Sequence, residues 1–172
     1  MDSFVFILEG KGIWVGVIVQ KDRLERVVLG KNEQEVISRL RSLKDPLFPD
    51  MKKEHREIGN LATSIKKDLA MYLSGKRIDF LNYPLQLDLS QKAKKVLFAV
   101  RKIPYGQVRS YRWVAWSVKS KGYRAVGRIL SINPLPIIIP CHRVIRSDGK
   151  IGGFSAGVEI KRRLLRLEGV VV

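Results

Sequence analysis

Three short apolar, β-rich runs open the chain, over residues 4–8, 13–19 and 23–29. Polar breaks separate them, Glu9-Gly10-Lys11-Gly12 and Lys21-Asp22. Runs of this length between such breaks predict strands joined by hairpin turns, and so an antiparallel meander. The period then lengthens. Val36, Ile37, Leu40 and Leu43 recur at helical spacing, and Pro46 and Pro49 are expected to end that helix. Ile65, Leu69, Tyr72 and Leu73 mark a second helix, closed by Gly75. Residues 79–88, with Asn82 and Pro84, read as a linker.

Beyond the linker the pattern is mainly helical. Ala93, Val96, Leu97 and Val100 share one helix face, and Pro104-Tyr105-Gly106 forms a turn past its end. Ser110 is placed to cap a helix over 111–119. Lys119-Ser120-Lys121-Gly122 then supplies a short glycine-containing turn into a helix over 123–131. Helix, short turn, helix is the helix-turn-helix pattern. On a helical wheel the second helix puts Ala125, Val126, Ile129 and Leu130 on one side, with Arg124, Gly127, Arg128 and Ser131 on the other. That outer face is small residues plus arginine. It reads either as an ordinary solvated face or as one that approaches a nucleic-acid groove.

Charge separates those two readings. Lys and Arg total 33 against 16 Asp and Glu, a net +17. Residues 1–89 carry 15 basic and 13 acidic side chains, whereas 90–172 carry 18 and 3. A segment that basic repels itself unless an anionic partner is present, and nucleic acid is the usual one. No amphipathic lipid-facing helix or lipidation signal supports a membrane surface instead. The first residues lack a basic stretch and their apolar run ends at Glu9, so no signal peptide is expected. No apolar run approaches the ~20 residues of a membrane span. A single cysteine permits no internal disulfide. These features favour a cytoplasmic, reducing compartment.

That cysteine sits in Pro136-Ile137-Ile138-Ile139-Pro140-Cys141-His142-Arg143-Val144. Three isoleucines between prolines predict a short buried strand, with Cys141 at a rigid turn. A lone cysteine is commonly a small buried hydrophobe. Here the adjacent His142 and the basic flanks favour a reactive thiolate. In the last helix Ile160, Leu164, Leu165 and Leu167 form the apolar face, and Arg162, Arg163 and Arg166 point away. Glu168 falls on the buried side of the same wheel. Either it reaches solvent at a helix end beside Gly169, or it is buried and needs a donor, for which His142 is the candidate. A carboxylate-held histidine beside a thiol has the logic of a catalytic triad. A structural metal site needs more Cys and His than two histidines and one cysteine provide, and His55 reads as exposed in a charged segment. No metal or cofactor is expected.

Pro140-Cys141-His142-Arg143-Val144 resembles the acceptor motif of the O6-alkylguanine-DNA alkyltransferases, the methylated-DNA–protein-cysteine methyltransferases. Asn133-Pro134-Leu135-Pro136 resembles the family's Asn-Pro segment. Ile151-Gly152-Gly153-Phe154-Ser155-Ala156-Gly157 resembles its substrate loop, and Leu164-Leu165-Arg166-Leu167-Glu168-Gly169 its C-terminal helix end. The likeness is strong over 90–169. Over 1–85 only the order of strands and helices fits. Phe154 stands where some members have tyrosine, and Ala156 where glycine is common.

The resemblance implies an α+β protein. A ribonuclease-H-like support domain, an antiparallel sheet plus helices, would span 1–85. A helical winged-helix-type domain containing the helix-turn-helix would span 86–172. It further implies that Cys141 accepts an alkyl group from O6 of guanine, irreversibly and once, with O4-methylthymine a further possible substrate. His142 would deprotonate Cys141 through water, and Glu168 would orient His142. Asn133 would tie the helix-turn-helix to the segment carrying Cys141. Tyr111 would bind the target base, Pro136 and Phe154 would pack on it, and the backbone at Val144 and Ser155 would read its edge. The helix bearing Arg124, Ala125, Gly127, Arg128 and Ser131 would enter the minor groove of double-stranded DNA, with Arg124 filling the space left by the flipped nucleotide. A monomer is expected. Two rival functions are a Cys-His-Glu hydrolase and a non-catalytic DNA-binding regulator.

Overall fold

Strands β1 (Ser3–Gly10), β2 (Ile13–Gln20) and β3 (Arg23–Gly30) form an antiparallel sheet in sequence order in the computed structural model, which describes residues 3–43, 59–120 and 122–172. Both hairpins turn through two residues, Lys11-Gly12 and Lys21-Asp22, all four at positive φ. That geometry matches the twist of the flanking strands. Helix α1 (Glu33–Ser42) begins where the Asn32 side chain accepts the Glu35 amide at 2.8 Å. Its Val36 and Leu40 pack against Ile18. Gly16 makes this approach possible, because a Cβ there would lie 2.7 Å from Val36. Leu43, expected on the apolar face, caps the helix and is exposed, because the helix ends before its next inward turn. Helix α2 (Asn60–Leu73) buries Ala62, Ile65, Leu69, Tyr72 and Leu73, and Gly75 follows at positive φ. Pro46, Pro49 and His55 lie outside the described residues.

The chain divides into two units, Met1–Ile78 with Asn82–Gln86, and Asp79–Leu81 with Leu87–Val172. The expected linker is therefore shared between them. Leu85 bridges Leu24 in parallel, and Leu24 donates to the Pro84 carbonyl at 2.9 Å while accepting from Gln86 at 2.8 Å. In the other unit the Arg101 guanidinium donates to the carbonyls of Phe80 and Leu81, at 2.7 and 2.9 Å.

The second unit starts with α3 (Gln91–Arg101), capped by Ser90, with Ala93, Val96, Leu97 and Val100 buried. Ser110 caps α4 (Tyr111–Ser117), accepting the Trp113 amide at 3.0 Å. This helix stops short of the expected 119, because Lys119 takes a positive φ at the turn. Helix α5 (Tyr123–Ser131) follows and buries Val126 and Leu130. Residues 137–139 are buried as expected but form no strand. Pro134, Pro136 and Pro140 lack the amide donors that a ladder needs. The segment instead folds on itself, with the Ile139 amide on the Leu135 carbonyl at 2.8 Å and Ile137 at φ 74°. A 3₁₀ turn, Cys141–Arg143, leads into β5 (Val144–Ile145), which pairs in parallel with β4 (Arg109–Ser110). Helix α6 (Val158–Leu167) ends the fold. Among the described residues no helix is long and apolar enough to cross a membrane.

Candidate active site

Asn133, just past the end of α5, holds both ends of the loop that delivers the cysteine. Its Oδ1 accepts the Leu135 amide at 3.0 Å, an Asx turn. Its Nδ2 donates to the Ile139 carbonyl at 3.0 Å and to Cys141 Sγ at 3.1 Å. Cys141 is 3% exposed and lines a cavity of about 360 Å³. Tyr111 of α4, Gly127, Leu130 and Ser131 of α5, and Gly153, Phe154 and Ser155 complete the lining. Burial pushes the thiol up to about 11, against the opposing effects of the Asn133 hydrogen bond, the Lys161 charge and nearby amides. The resting thiol is therefore protonated, and nucleophilic use of it requires a base.

His142 is fully buried, and its Nε2 pairs with Glu168 Oε1 at 2.8 Å. Burial keeps the imidazole below its ordinary pKa, with Glu168 acting the other way. Glu168 caps α6 and is 6% exposed, so it does not escape to solvent. Burial alone would raise its pKa. The hydrogen bonds and charge of His142 and Arg143 outweigh that and hold it far below the carboxylate range. Arg143 Nε lies 2.9 Å from Oε2 and its Nη2 2.8 Å from Oε1, a fork-to-fork pair, while the Gly106 amide donates to Oε2 at 3.1 Å. Arg143 also donates to the Ile103 carbonyl at 2.6 Å and lies over the Tyr105 ring. Because Arg143 is a permanent cation, Glu168 stays ionised and accepts the Nε2 proton. Nδ1 is then the basic nitrogen of His142.

Two buried cations here have no assigned place in the sequence reading. Arg143, read as part of the acceptor-motif likeness and of the basic surroundings of Cys141, is paired with Glu168. Lys161 is fully buried, with Nζ 2.6 Å from the Val144 carbonyl and 3.2 Å from that of Gly153. The wheel that places Glu168 between Leu164 and Leu165 places Lys161 there too, so the signal was present. Tyr111 Oη lies 3.4 Å from the same Gly153 carbonyl. Burial, then the nearby Cys141, raise its pKa, so the phenol keeps its proton.

Of the other expected site residues, Gly127, Ser131, Phe154 and Ser155 line the cavity and the rest fall elsewhere. Pro136 and Val144 are buried and are not among the cavity's lining residues. Arg124, Arg128 and Ser131 are exposed on α5, and Ala125 and Gly127 are half-buried. Among the described residues no group of three His, Cys, Asp or Glu is arranged to hold a metal ion.

Residues 91–170 match the family model described as 6-O-methylguanine DNA methyltransferase, DNA binding domain. A methylated-DNA–protein-cysteine methyltransferase of Sulfolobus acidocaldarius is 36% identical over 152 residues, 88% of this chain and 92% of that protein. Its counterpart in Methanopyrus kandleri is 45% identical over 108 residues, covering 63% and 81%. The crystal structure of O6-methylguanine-DNA methyltransferase from Pyrococcus kodakaraensis superposes with a TM-score of 0.75 at 26% identity, covering 98% of this chain and all of the other. The Mycobacterium tuberculosis OGT, crystallised in complex with DNA, gives a TM-score of 0.71 at 27% identity, covering 94% and 90%.

Proposed function

The chain belongs to the methylated-DNA–protein-cysteine methyltransferase family, and from that premise we propose that Cys141 is the alkyl acceptor and that His142, Glu168, Asn133 and Tyr111 serve its chemistry. It is a DNA-repair methyltransferase acting on O6-methylguanine in DNA. Family membership decides against the hydrolase and the simple DNA-binding regulator. One observation carries the assignment of the site: the protein's only cysteine lines the cavity, with Asn133 on its sulfur and the His142–Glu168 pair on the next residue.

The geometry supports the following roles. His142, with Nε2–H committed to Glu168, takes the Cys141 proton at Nδ1 through a water molecule. Glu168 then stabilises the imidazolium. The thiolate attacks the alkyl carbon, the bond from that carbon to O6 breaks, and a thioether forms. The electron pair passes into the guanine, and the protonated Tyr111 supplies a proton to the ring. Nothing in the site regenerates the thiol, so each chain acts once. A cavity of about 360 Å³ supports groups larger than methyl on O6. O4-methylthymine is a further candidate.

A guanine stacked in a duplex cannot reach a buried sulfur, so the base must be extruded, at a cost of a few kcal/mol. The exposed α5 face, in a half-chain with 18 basic and 3 acidic residues, supports binding of double-stranded DNA by this helix in the minor groove. Arg124 fills the vacated stack, and Arg128, Ser131, Ala125 and Gly127 lie against the strand. The first unit acts as support, and the protein works as a monomer without metal or cofactor. Two substrates test this. Wild-type protein should react with an O6-methylguanine duplex and with free O6-benzylguanine. Arg124→Ala should slow the duplex reaction at least about tenfold, by loss of part of the flipping energy, and leave the free base nearly unaffected. Equal losses on both would remove Arg124 from flipping. Wild-type protein inert toward both would overturn the assignment of Cys141.

A further inference from the structure

Lys161 is the one lysine or arginine with no exposed surface among the described residues. A lysine buried this deeply is disfavoured as a cation unless its ammonium is hydrogen-bonded or faces a negative charge. Its ammonium donates to two carbonyls: that of Val144, three residues after Cys141 and behind the cavity's lining, and that of Gly153, in the glycine-rich loop that lines it. It lies 5.8 Å from the centroid of the Tyr111 ring. The Gly153 carbonyl thus takes both Lys161 and Tyr111. The groups facing Lys161 are Cys141 and His142 from the 3₁₀ turn and Tyr111 from α4. The charged groups near it on α6, Glu159, Arg162 and Arg163, are mutually paired at the surface.

We propose that Lys161 is a positioning residue of the transfer reaction, its buried ammonium tying the Gly153 loop to Val144 beside Tyr111 and supplying the positive charge that the Cys141 thiolate requires. This rests on the assignment of Cys141 as the acceptor. The two functions are coupled. The same proton that holds the loop also lowers the energy of the attacking thiolate.

The sign of the pH dependence is the discriminating consequence. Burial brings the Lys161 ammonium down to about 8, whereas the Cys141 thiol is pushed up to about 11. A thiol acting on its own should react faster as pH rises toward its own value. If the ammonium is required, wild-type transfer from free O6-benzylguanine should instead fall once pH passes about 8. Lys161→Met, which keeps the apolar stem and removes the charge, should be at least about tenfold slower at neutral pH, since a nearby charge moves a pKa by about one unit or more. Its rate should rise with pH where the wild type falls. Wild-type rates that climb steadily toward pH 10, or a Lys161→Met protein that reacts as fast as wild type, overturn the proposal. The wild-type profile decides the question if the variant does not fold. A wild-type protein that takes neither a benzyl group from the free base nor a methyl group from the O6-methylguanine duplex at any pH would instead remove the acceptor assignment beneath it.

Discussion

Replacing Cys141 with serine is expected to abolish alkyl transfer while leaving DNA binding and the fold in place. Removing a covalent nucleophile costs on the order of 10⁶-fold in rate in comparable covalent chemistry. A buried serine hydroxyl is a far weaker nucleophile than a thiolate. It still accepts from Asn133 Nδ2, which now lies 3.1 Å from the sulfur, so the loop over 134–140 keeps its anchor. In the proposed complex DNA affinity rests on the basic half-chain and α5, which the substitution does not touch. Gel shift with an undamaged duplex and transfer from an O6-methylguanine duplex measure the two separately. Stoichiometric transfer by the serine variant would contradict the assignment, and loss of DNA binding along with transfer would mean that the thiol is structural.

The second large effect is expected at Glu168. The carboxylate accepts from His142, the Gly106 amide and both edges of the Arg143 fork. Every neighbour is a donor, so Glu168→Gln turns an amide group toward a donor and leaves the Arg143 charge buried without its counter-ion. Breaking one side of a buried ion pair costs about 3–5 kcal/mol. That is a large share of the ~5–15 kcal/mol that holds a domain together. A marked fall in Tm is expected together with loss of transfer. The double variant Glu168→Gln, Arg143→Met should regain stability without regaining transfer, because the stranded charge is gone but His142 still lacks its partner. Recovery of both would confine Glu168 to a structural role.

Acid gives the same test by linkage. The folded Glu168 carboxyl lies below its ordinary 4.5, so its stabilisation is complete above that value. It is lost as pH falls from there toward the folded value. The single variant should therefore lose less stability than wild type between neutral pH and strong acid, as thermal melting would show.

The reading of the sequence succeeded where a residue's neighbours along the chain determine its environment. The three strands and their hairpins follow from short apolar runs between Gly- and Asp-containing breaks, and both turns take the left-handed geometry that such residues allow. Ser110 caps a helix where expected, since a cap bonds only two or three residues onward. Glu168 and its donor His142 were reachable because a helical wheel shows a carboxylate on an apolar face. The failures are tertiary. Three isoleucines carry strand propensity, yet Asn133 and the surrounding prolines bend them into a turn. Arg143 looks like an ordinary surface cation until the 3₁₀ turn buries it against Glu168, and the wheel puts Lys161 on the apolar face without showing its partners, Val144 and Gly153. The division of residues 79–88 between two units depends on Leu24 and Arg101, partners far away in sequence.

The central claim is that this chain takes the alkyl group onto Cys141, once per molecule. Intact-protein mass spectrometry after incubation with a limiting and then an excess amount of O6-methylguanine duplex tests it most directly, with peptide mapping to locate the change and nucleoside analysis of the DNA. The account predicts that each chain gains one methyl in place of the thiol hydrogen, on the peptide holding Cys141, with one guanine restored per chain and no further repair in excess substrate. An unchanged protein mass alongside repaired DNA, a methyl on any other residue, or repair continuing beyond one lesion per chain would contradict it.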